Sequence, residues 1–270
     1  MDRSNFIREA LAEATRLVQT KYADRSQLAY DEKEASDLLT SADIEVQHLL
    51  INRLRTHWKD ESILAEEEGF NVADQRAQAR CWIIDPIDGT YNFARDLFPL
   101  FGISLAYAEQ GQPVAAGIAL PGMGQIYLAV RDGGTTCNGQ PLHVSQQTSL
   151  QRALVGIDYS KPSKRSITLR PNAALAKAAG QVRAPGCAVV GLCAVASGRA
   201  EAHFDAGLEP WDIAAAALLI EEAGGRVSRA DGRALNLLDG SQGLIASNGH
   251  LHGALLDLLQ SDAASDSTAP

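Results

Sequence analysis

The chain has 270 residues, of which 46% are hydrophobic, with 24 Lys and Arg against 33 Asp and Glu for a formal net charge of −9. That is enough apolar material for one large core or two smaller ones and excludes a disorder-dominated or fibrous chain. The acidic balance argues against nucleic acid or an anionic membrane as the main partner, because both need a basic footprint.

The first helix is expected over Asn5 to Tyr22, followed by an exposed charged loop around Asp31 to Glu34 and a second helix from about Ser41 to Trp58. Strands are expected near Ile63, Ile84, Ile103, Val114 and Ile126, and Gly/Pro turns at Gly111-Gln112-Pro113, Pro121-Gly122 and Asp132-Gly133-Gly134 make the last three a meander. From about Asn138 strands and helices alternate. Strand Ala153 to Ile157 precedes helices near Pro171 to Ala179 and over Gly186 to Ser197, then strand Ala202 to Phe204, helix Ile213 to Ala223, strand Leu244 to Ala246 and a final helix. This divides the chain into an N-terminal α+β unit (1–138), a C-terminal α/β unit (139–262) and a disordered tail (263–270), with a site between the units. The longest purely apolar run, Ile213 to Ile220, is far too short to span a bilayer, and Met1 to Asn5 leads into an amphipathic helix rather than a signal peptide. A cytoplasmic location follows, and Cys81, Cys137, Cys187 and Cys193, which form no CxxC pair, are read as free thiols.

Chemistry concentrates in Trp82-Ile83-Ile84-Asp85-Pro86-Ile87-Asp88-Gly89-Thr90, where an apolar strand delivers two carboxylates into a Pro/Gly turn. Pro86 is expected to stop the ladder, and Gly89 to allow a close backbone approach. Crowded carboxylates need a cation or must take up protons. Ser62 to Gly69 is a second apolar run ending in acids, and Glu209-Pro210-Trp211-Asp212 places a third carboxylate at a helix start. Hard oxygen ligands in this number suit Mg²⁺: Asp85 and Asp88 suffice for one ion, and Glu66 and Asp212 add enough for two. Main-chain N–H groups of Gly89 and Thr90, after a turn that opens a helix, favour phosphate.

These segments, together with Asp37-Leu38-Leu39-Thr40-Ser41-Ala42-Asp43, Glu66-Glu67, Asn92-Phe93 and Glu222-Ala223-Gly224-Gly225, resemble the inositol monophosphatase family of magnesium-dependent, lithium-sensitive phosphatases in order and approximate spacing. The resemblance implies a layered αβαβα sandwich of the inositol monophosphatase/fructose-1,6-bisphosphatase type, and a homodimer. It implies two or three Mg²⁺ ions per site, with Mn²⁺ as a substitute and Li⁺ as an inhibitor. Glu66, Asp85 and the Ile87 carbonyl would hold the first ion, and Asp85, Asp88 and Asp212 the second. Glu66 and Thr90 would orient the attacking water, with Asp43 in a relay to Thr90. Asp88, Gly89, Thr90, Gly186, Cys187 and Asp205 would contact a small phosphate-ester substrate.

Three departures from the family pattern are visible. Asp205 stands where inositol-specific members usually carry Glu, Cys187 where Ser or Thr is common, and Lys33 lies one residue nearer Asp37 than expected. A sugar bisphosphate or nucleotide 3′-phosphate is the alternative substrate, and the basic run Lys161, Lys164, Arg165, Arg170 is either a solvated loop or a reader of a second anionic group. A regulatory or scaffolding protein on the same fold is the non-enzymatic alternative. Plain structural roles compete too: Asp43 as a helix-start charge, Asp212 as an N-cap, Glu67 and Glu68 facing solvent or behind the ligands, Trp211 as packing. No histidine is assigned a ligand role, since no HExxH spacing links any of the six.

Overall fold

The computed structural model describes residues 2–24, 30–34, 37–67, 79–159, 162–237 and 242–264. In chain order these form α1 (Arg3–Ala23), β1 (Tyr30–Glu34), β2 (Asp37–Thr40), α2 (Ser41–His57), β3 (Ser62–Ala65), β4 (Arg80–Asp88), α3 (Thr90–Arg95), β5 (Gly102–Glu109), β6 (Gln112–Leu120), β7 (Gln125–Val130), β8 (Gly134–Cys137) and β9 (Gln140–Pro141). There follow β10 (Leu154–Ile157), α4 (Arg165–Ala178), β11 (Gln181–Arg183), α5 (Ala188–Ala196), β12 (Ala202–Leu208), α6 (Pro210–Glu222), β13 (Arg226–Arg229), β14 (Gln242–Ser247) and α7 (His252–Ala264). Strands β3 to β9 make a seven-stranded sheet in sequential order, and a five-stranded sheet runs β11-β10-β12-β14-β13. No helix among the described residues is long and apolar enough to cross a membrane.

The layers follow from which faces are apolar. Along β4, Trp82 and Ile84 turn to a core shared with Phe6, Leu11 and Leu50 of α1 and α2, while Cys81 and Ile83 turn to the opposite core. Both faces of this strand are buried, so it reads as a continuous apolar run. The second core holds α5 and α6 between the two sheets, with Ile118 and Tyr127 on one side and Leu244 and Ala246 on the other. A helix covered on both sides is apolar all round, which Ile213 to Ile220 is. Leu175 of α4 and Leu255 of α7 close the outer face of the second sheet. The order is helices, sheet, helices, sheet, helices, the αβαβα sandwich expected.

Several boundaries differ from the sequence reading. Tyr30–Glu34 is a strand paired antiparallel with Asp37–Thr40, not a loop, because the ladder is made by main-chain groups that charged residues carry as well as any others. Pro86 does not stop β4. The strand continues to Asp88, with Asp85 opposite Ser104 and Asp88 opposite Gly102, so one extra residue is absorbed as a bulge. Helix α4 begins at Arg165 and carries Pro171 inside it. Helix α7 runs to Ala264, two residues into the expected tail, and residues 265–270 lie outside the described residues.

His203, on β12, is fully buried, and neither ring nitrogen meets a hydrogen-bond partner among the described residues. It fills a slot that exists because Gly156 and Gly191 lack side chains: a Cβ at either position would come within 2.3 Å of His203 Nδ1. Overpacking of this kind costs about 1–3 kcal/mol. Gly191→Ala is therefore expected to lower stability by about that amount, and the His203→Ala background to absorb most of the cost. Denaturant unfolding of the four proteins of the cycle measures the coupling; strict additivity would show that the contact carries no strain.

Candidate active site

The β4 bulge decides where the carboxylates point. Residues three apart on a regular strand face opposite sides of the sheet, so Asp85 and Asp88 would diverge. Their partners Ser104 and Gly102 are two apart on β5, and the extra residue at the bulge returns both acids to one side. Asp212 comes to the same place from α6, and one carboxylate oxygen from each of Asp85, Asp88 and Asp212 lies within 4.8 Å of the others. Ser104 ties the strand to the helix by donating its hydroxyl to the Trp211 carbonyl at 3.0 Å.

Each acid is held by its own local structure. Asp212 is the third residue of α6 rather than its N-cap, and its carboxylate accepts the Glu209 N–H at 2.8 Å in a capping box. Asp43 repeats the device on α2, accepting the Thr40 N–H at 2.8 Å and the Thr40 hydroxyl. Glu66 follows β3 and acts electrostatically on Asp85, while the next residue is fastened by Gln47, which exchanges two bonds with the main chain of Glu67. Glu67 is buried rather than solvent-facing, and Glu68 lies outside the described residues.

Thr90 opens α3 after Gly89, whose φ of 83° is left-handed and whose missing Cβ leaves room for the Leu100 carbonyl. The Thr90 hydroxyl is 2.9 Å from the Ile87 carbonyl and 3.4 Å from Asp43 Oδ1. Cys187 is the N-cap residue of α5, and its thiol reaches Asp88 Oδ2 at 3.3 Å. Gly186, just before it, is tethered by the Asn92 side-chain amide, which donates to the Leu100, Pro185 and Gly186 carbonyls. Asp205 sits on β12, farther along than the expected strand end, and accepts the Gly207 N–H at 2.8 Å.

The groups to which the sequence reading gave no role serve these residues: Thr40, Gln47 and Asn92, the Val189 N–H on Asp88, and Asp158, a buried carboxylate that acts electrostatically on Asp205 and Asp88. The capping-box spacing Thr40 to Asp43 is a signal for the first; main-chain donors leave none. Of the basic run, the Lys164 ammonium donates to the Gly207 carbonyl and lies 4.0 Å from Glu209, Arg165 is exposed, and Lys161 lies outside the described residues.

The electrostatics are those of a cation site. Burial, then Glu66, holds the Asp85 carboxyl well above the usual carboxylate range, and burial, then Asp88, does the same for Asp212. Burial raises Asp88 to about 6 against the lowering effect of Val189 and Cys187, Asp43 to about 7 against Thr40, and Asp205 to about 7 with Asp158 adding to it. Two ionised carboxylates at 4.8 Å repel by roughly 3 kcal/mol at an effective dielectric near 20. Asp85 Oδ1 is buried without a hydrogen-bond partner. Hard anionic oxygens, one of them orphaned, fit a divalent ion such as Mg²⁺.

Known proteins agree with this picture. The model described as the inositol monophosphatase family matches residues 2–264. The chloroplastic phosphatase IMPL1 of Arabidopsis thaliana is 36% identical over 83% of the chain, although the match spans 62% of that longer protein. The fructose-1,6-bisphosphatase/inositol-1-monophosphatase of Thermotoga maritima is 34% identical, covering 83% of this chain and 82% of its own. Among solved structures, a Thermotoga maritima IMPase superposes with a TM-score of 0.85 at 30% identity over 98% of this chain and 99% of its own. An IMPase/NADP phosphatase complexed with Mg²⁺ and phosphate does so at 0.80 and 26% identity, with 92% of each chain covered.

The raised carboxyls predict a pH signature. Asp43, Asp88 and Asp205 have folded values of about 6 to 7 against an ordinary 3.8, so between those limits the folded protein binds more protons than the unfolded chain and stability falls as pH rises. His203 and His252, which burial pushes down to about 4, act oppositely below the ordinary 6.5. A bound cation offsets only the carboxylate effect. The gain in melting temperature on adding Mg²⁺ should therefore grow from about pH 5 to about pH 8, as thermal melts with and without the ion will measure. A gain independent of pH would contradict the crowded-carboxylate account.

Proposed function

The chain belongs to the inositol monophosphatase family, and on that premise we propose that it is a Mg²⁺-dependent phosphomonoesterase hydrolysing inositol monophosphate or a related small polyol or sugar phosphate. The observation that carries this reading is the convergence of Asp85, Asp88 and Asp212 with a buried, unpartnered oxygen on Asp85. Glu66, Asp85 and the Ile87 carbonyl would hold one ion, and Asp85, Asp88 and Asp212 a second. When bound, Mg²⁺ supplies a Lewis acid that lowers the pKa of water and stabilises charge on phosphoryl oxygens.

The chain's own residues divide the remaining work. Main-chain N–H groups of Gly89 and Thr90 take the phosphoryl oxygens, and Glu66 and the Thr90 hydroxyl orient the attacking water. The Thr90 proton has two acceptors in reach, Ile87 O and Asp43, and Asp43 at about 7 can gain or lose a proton near neutrality. Asp205 and the Gly186 segment face the leaving alcohol. A homodimer and inhibition by Li⁺ belong to this reading through the family alone, and cytoplasmic residence is the expectation drawn from the sequence.

A second reading of the substrate is favoured by Lys164, whose ammonium stands beside the Asp205 turn. It suits an ester with a second anionic group, and the Thermotoga maritima relative carries both sugar bisphosphatase and inositol monophosphatase in its name.

Initial rates across a panel of phosphate esters test both readings. Activity is expected to vanish in chelator and return with Mg²⁺; full activity in chelator would end the proposal. Asp88→Asn should lower kcat by about a hundredfold or more while leaving the metal-free protein no less stable, since it removes one of the crowded charges.

Specificity has its own test. Asp205→Glu should raise kcat/KM for inositol 1-phosphate by roughly tenfold, as one recovered hydrogen bond to a charged group allows, and Lys164→Ala should depress only esters with a second anionic group. A wild type that already prefers inositol 1-phosphate a hundredfold, and loses that preference in Asp205→Glu, would assign the shorter side chain the opposite role.

A further inference from the structure

The leaving-alcohol side of the site carries a second acid next to Asp205. Strands β10 and β12 run parallel, with Val155 opposite Ala202, Gly156 opposite His203 and Ile157 opposite Phe204. One step further along, the same register sets Asp158, the first residue past β10, beside Asp205. Val155, Ile157, Ala202 and Phe204 all turn to the outer core with Leu175 and Leu255. Side chains alternate along a strand, so Gly156, Asp158, His203 and Asp205 turn inward. The reach of the Asp158 charge agrees, because it acts on Asp88 at the end of β4 in the other sheet.

Both acids are set in place. Asp158 is 8% exposed and Asp205 5%. The buried Asn172 side-chain amide of α4 donates to the Asp158 main-chain carbonyl at 2.7 Å, which pins the chain end to that helix. Farther back on the same face, the His203 ring fills the slot left by Gly156 and Gly191, so neither carboxylate has room to withdraw there. Asp205 Oδ1 accepts the Gly207 N–H at 2.8 Å, and this short side chain keeps one oxygen, Oδ2, for a ligand. A polyol presents neighbouring hydroxyls, and a buried hydroxyl without an acceptor weakens binding. Adjacent strands lie about 4.8 Å apart, a spacing from which two short carboxylates can take neighbouring hydroxyls of one ring.

We propose that Asp158 is a specificity-determining residue: its carboxylate accepts a hydroxyl of the leaving alcohol next to the one taken by Asp205, so the two acids together read a vicinal pair. The proposal rests on the Mg²⁺-phosphatase reading and deepens it by naming the substrate class, phosphate esters of polyols with neighbouring hydroxyls.

Kinetics of the wild type, Asp158→Ala, Asp158→Asn, Asp205→Ala and the Asp158→Ala/Asp205→Ala double variant test it, with thermal melts to confirm folding. Selectivity is the ratio of kcat/KM for inositol 1-phosphate to that for cyclohexyl phosphate, the same ring without the free hydroxyls. Any effect of the lost charge on Mg²⁺ or on folding reaches both esters and cancels in the ratio. Asp158→Ala is expected to lower the ratio by about tenfold, as one lost hydrogen bond to a charged group allows, and Asp158→Asn, which keeps a neutral acceptor, by about threefold. The loss from Asp158→Ala should persist when Asp205→Ala is the starting protein. An unchanged ratio in a variant that melts like the wild type would leave Asp158 a structural or purely electrostatic part and overturn the proposal. So would a loss that disappears in the Asp205→Ala background, since Asp158 would then act only by holding Asp205. A wild type that hydrolyses both esters with equal kcat/KM would keep the phosphatase reading and overturn the role of Asp158. A wild type inactive toward both in Mg²⁺ would overturn both.

Discussion

Mutual repulsion among buried carboxylates is the constraint on which the rest of the structure depends. Asp85, Asp88 and Asp212 place oxygens within 4.8 Å of one another, Asp85 buried and the other two half-buried, and nothing about their own chemistry draws them together. The scaffold must impose the arrangement. It does so with rigid devices: a bulge that turns two acids of one strand to the same side, a helix wedged between two sheets that delivers the third, and a second helix whose N-terminal donors hold Asp88. Each element is secured by apolar burial remote from the acids, so the cost of crowding is borne by cores that gain nothing from it.

The same principle explains why structural and chemical roles coincide here. Asp43 and Asp212 both occupy the third position of a helix and both close a capping box. A capping role and a site role are rivals only for an isolated residue. Here the box fixes the rotamer through a main-chain N–H, leaving the carboxylate's other oxygen aimed at the site, as Asp43 does toward Thr90. A side chain held this way loses little entropy when the site fills, and preorganisation of that kind is what catalysis by position requires.

Much of this was legible in the sequence, and the limits are physical. The αβ alternation and the acids of the site could be read because hydrophobic period and acid-rich turns are encoded in side chains, whereas the layered sandwich followed from the family resemblance. Apolar period could not reveal β1, because Tyr30–Glu34 pairs through main-chain groups and carries mostly charge. Nor could composition show that Pro86 lies within a continuing strand. A proline removes one donor, but whether the ladder ends or bulges depends on whether the partner strand, here Ser104 to Gly102, can step past it. Asp205 was placed beyond its strand for a similar reason, since β12 also shifts register between Asp205 and Leu208. The Val189 N–H on Asp88 is invisible in any sequence, because every residue but proline carries that donor.

The floor and the rim of the site are therefore under unequal constraint. Floor residues answer to several demands at once: Asp85 to a strand register, Asp212 to a helix cap, Gly89 to a left-handed turn pressed against the Leu100 carbonyl. Changing any of them disturbs fold and chemistry together. Rim residues answer to fewer. Asp205 bonds one main-chain N–H two residues away, and Lys164 reaches one carbonyl and one carboxylate from a partly exposed position. On the proposed phosphatase reading, change at these positions disturbs the floor less, which leaves selection among esters to them. The departures from the family pattern lie where that reasoning puts them, at Asp205 and at Cys187, whose thiol meets the floor only at the Asp88 carboxylate and main-chain carbonyl and leaves every carboxylate in place.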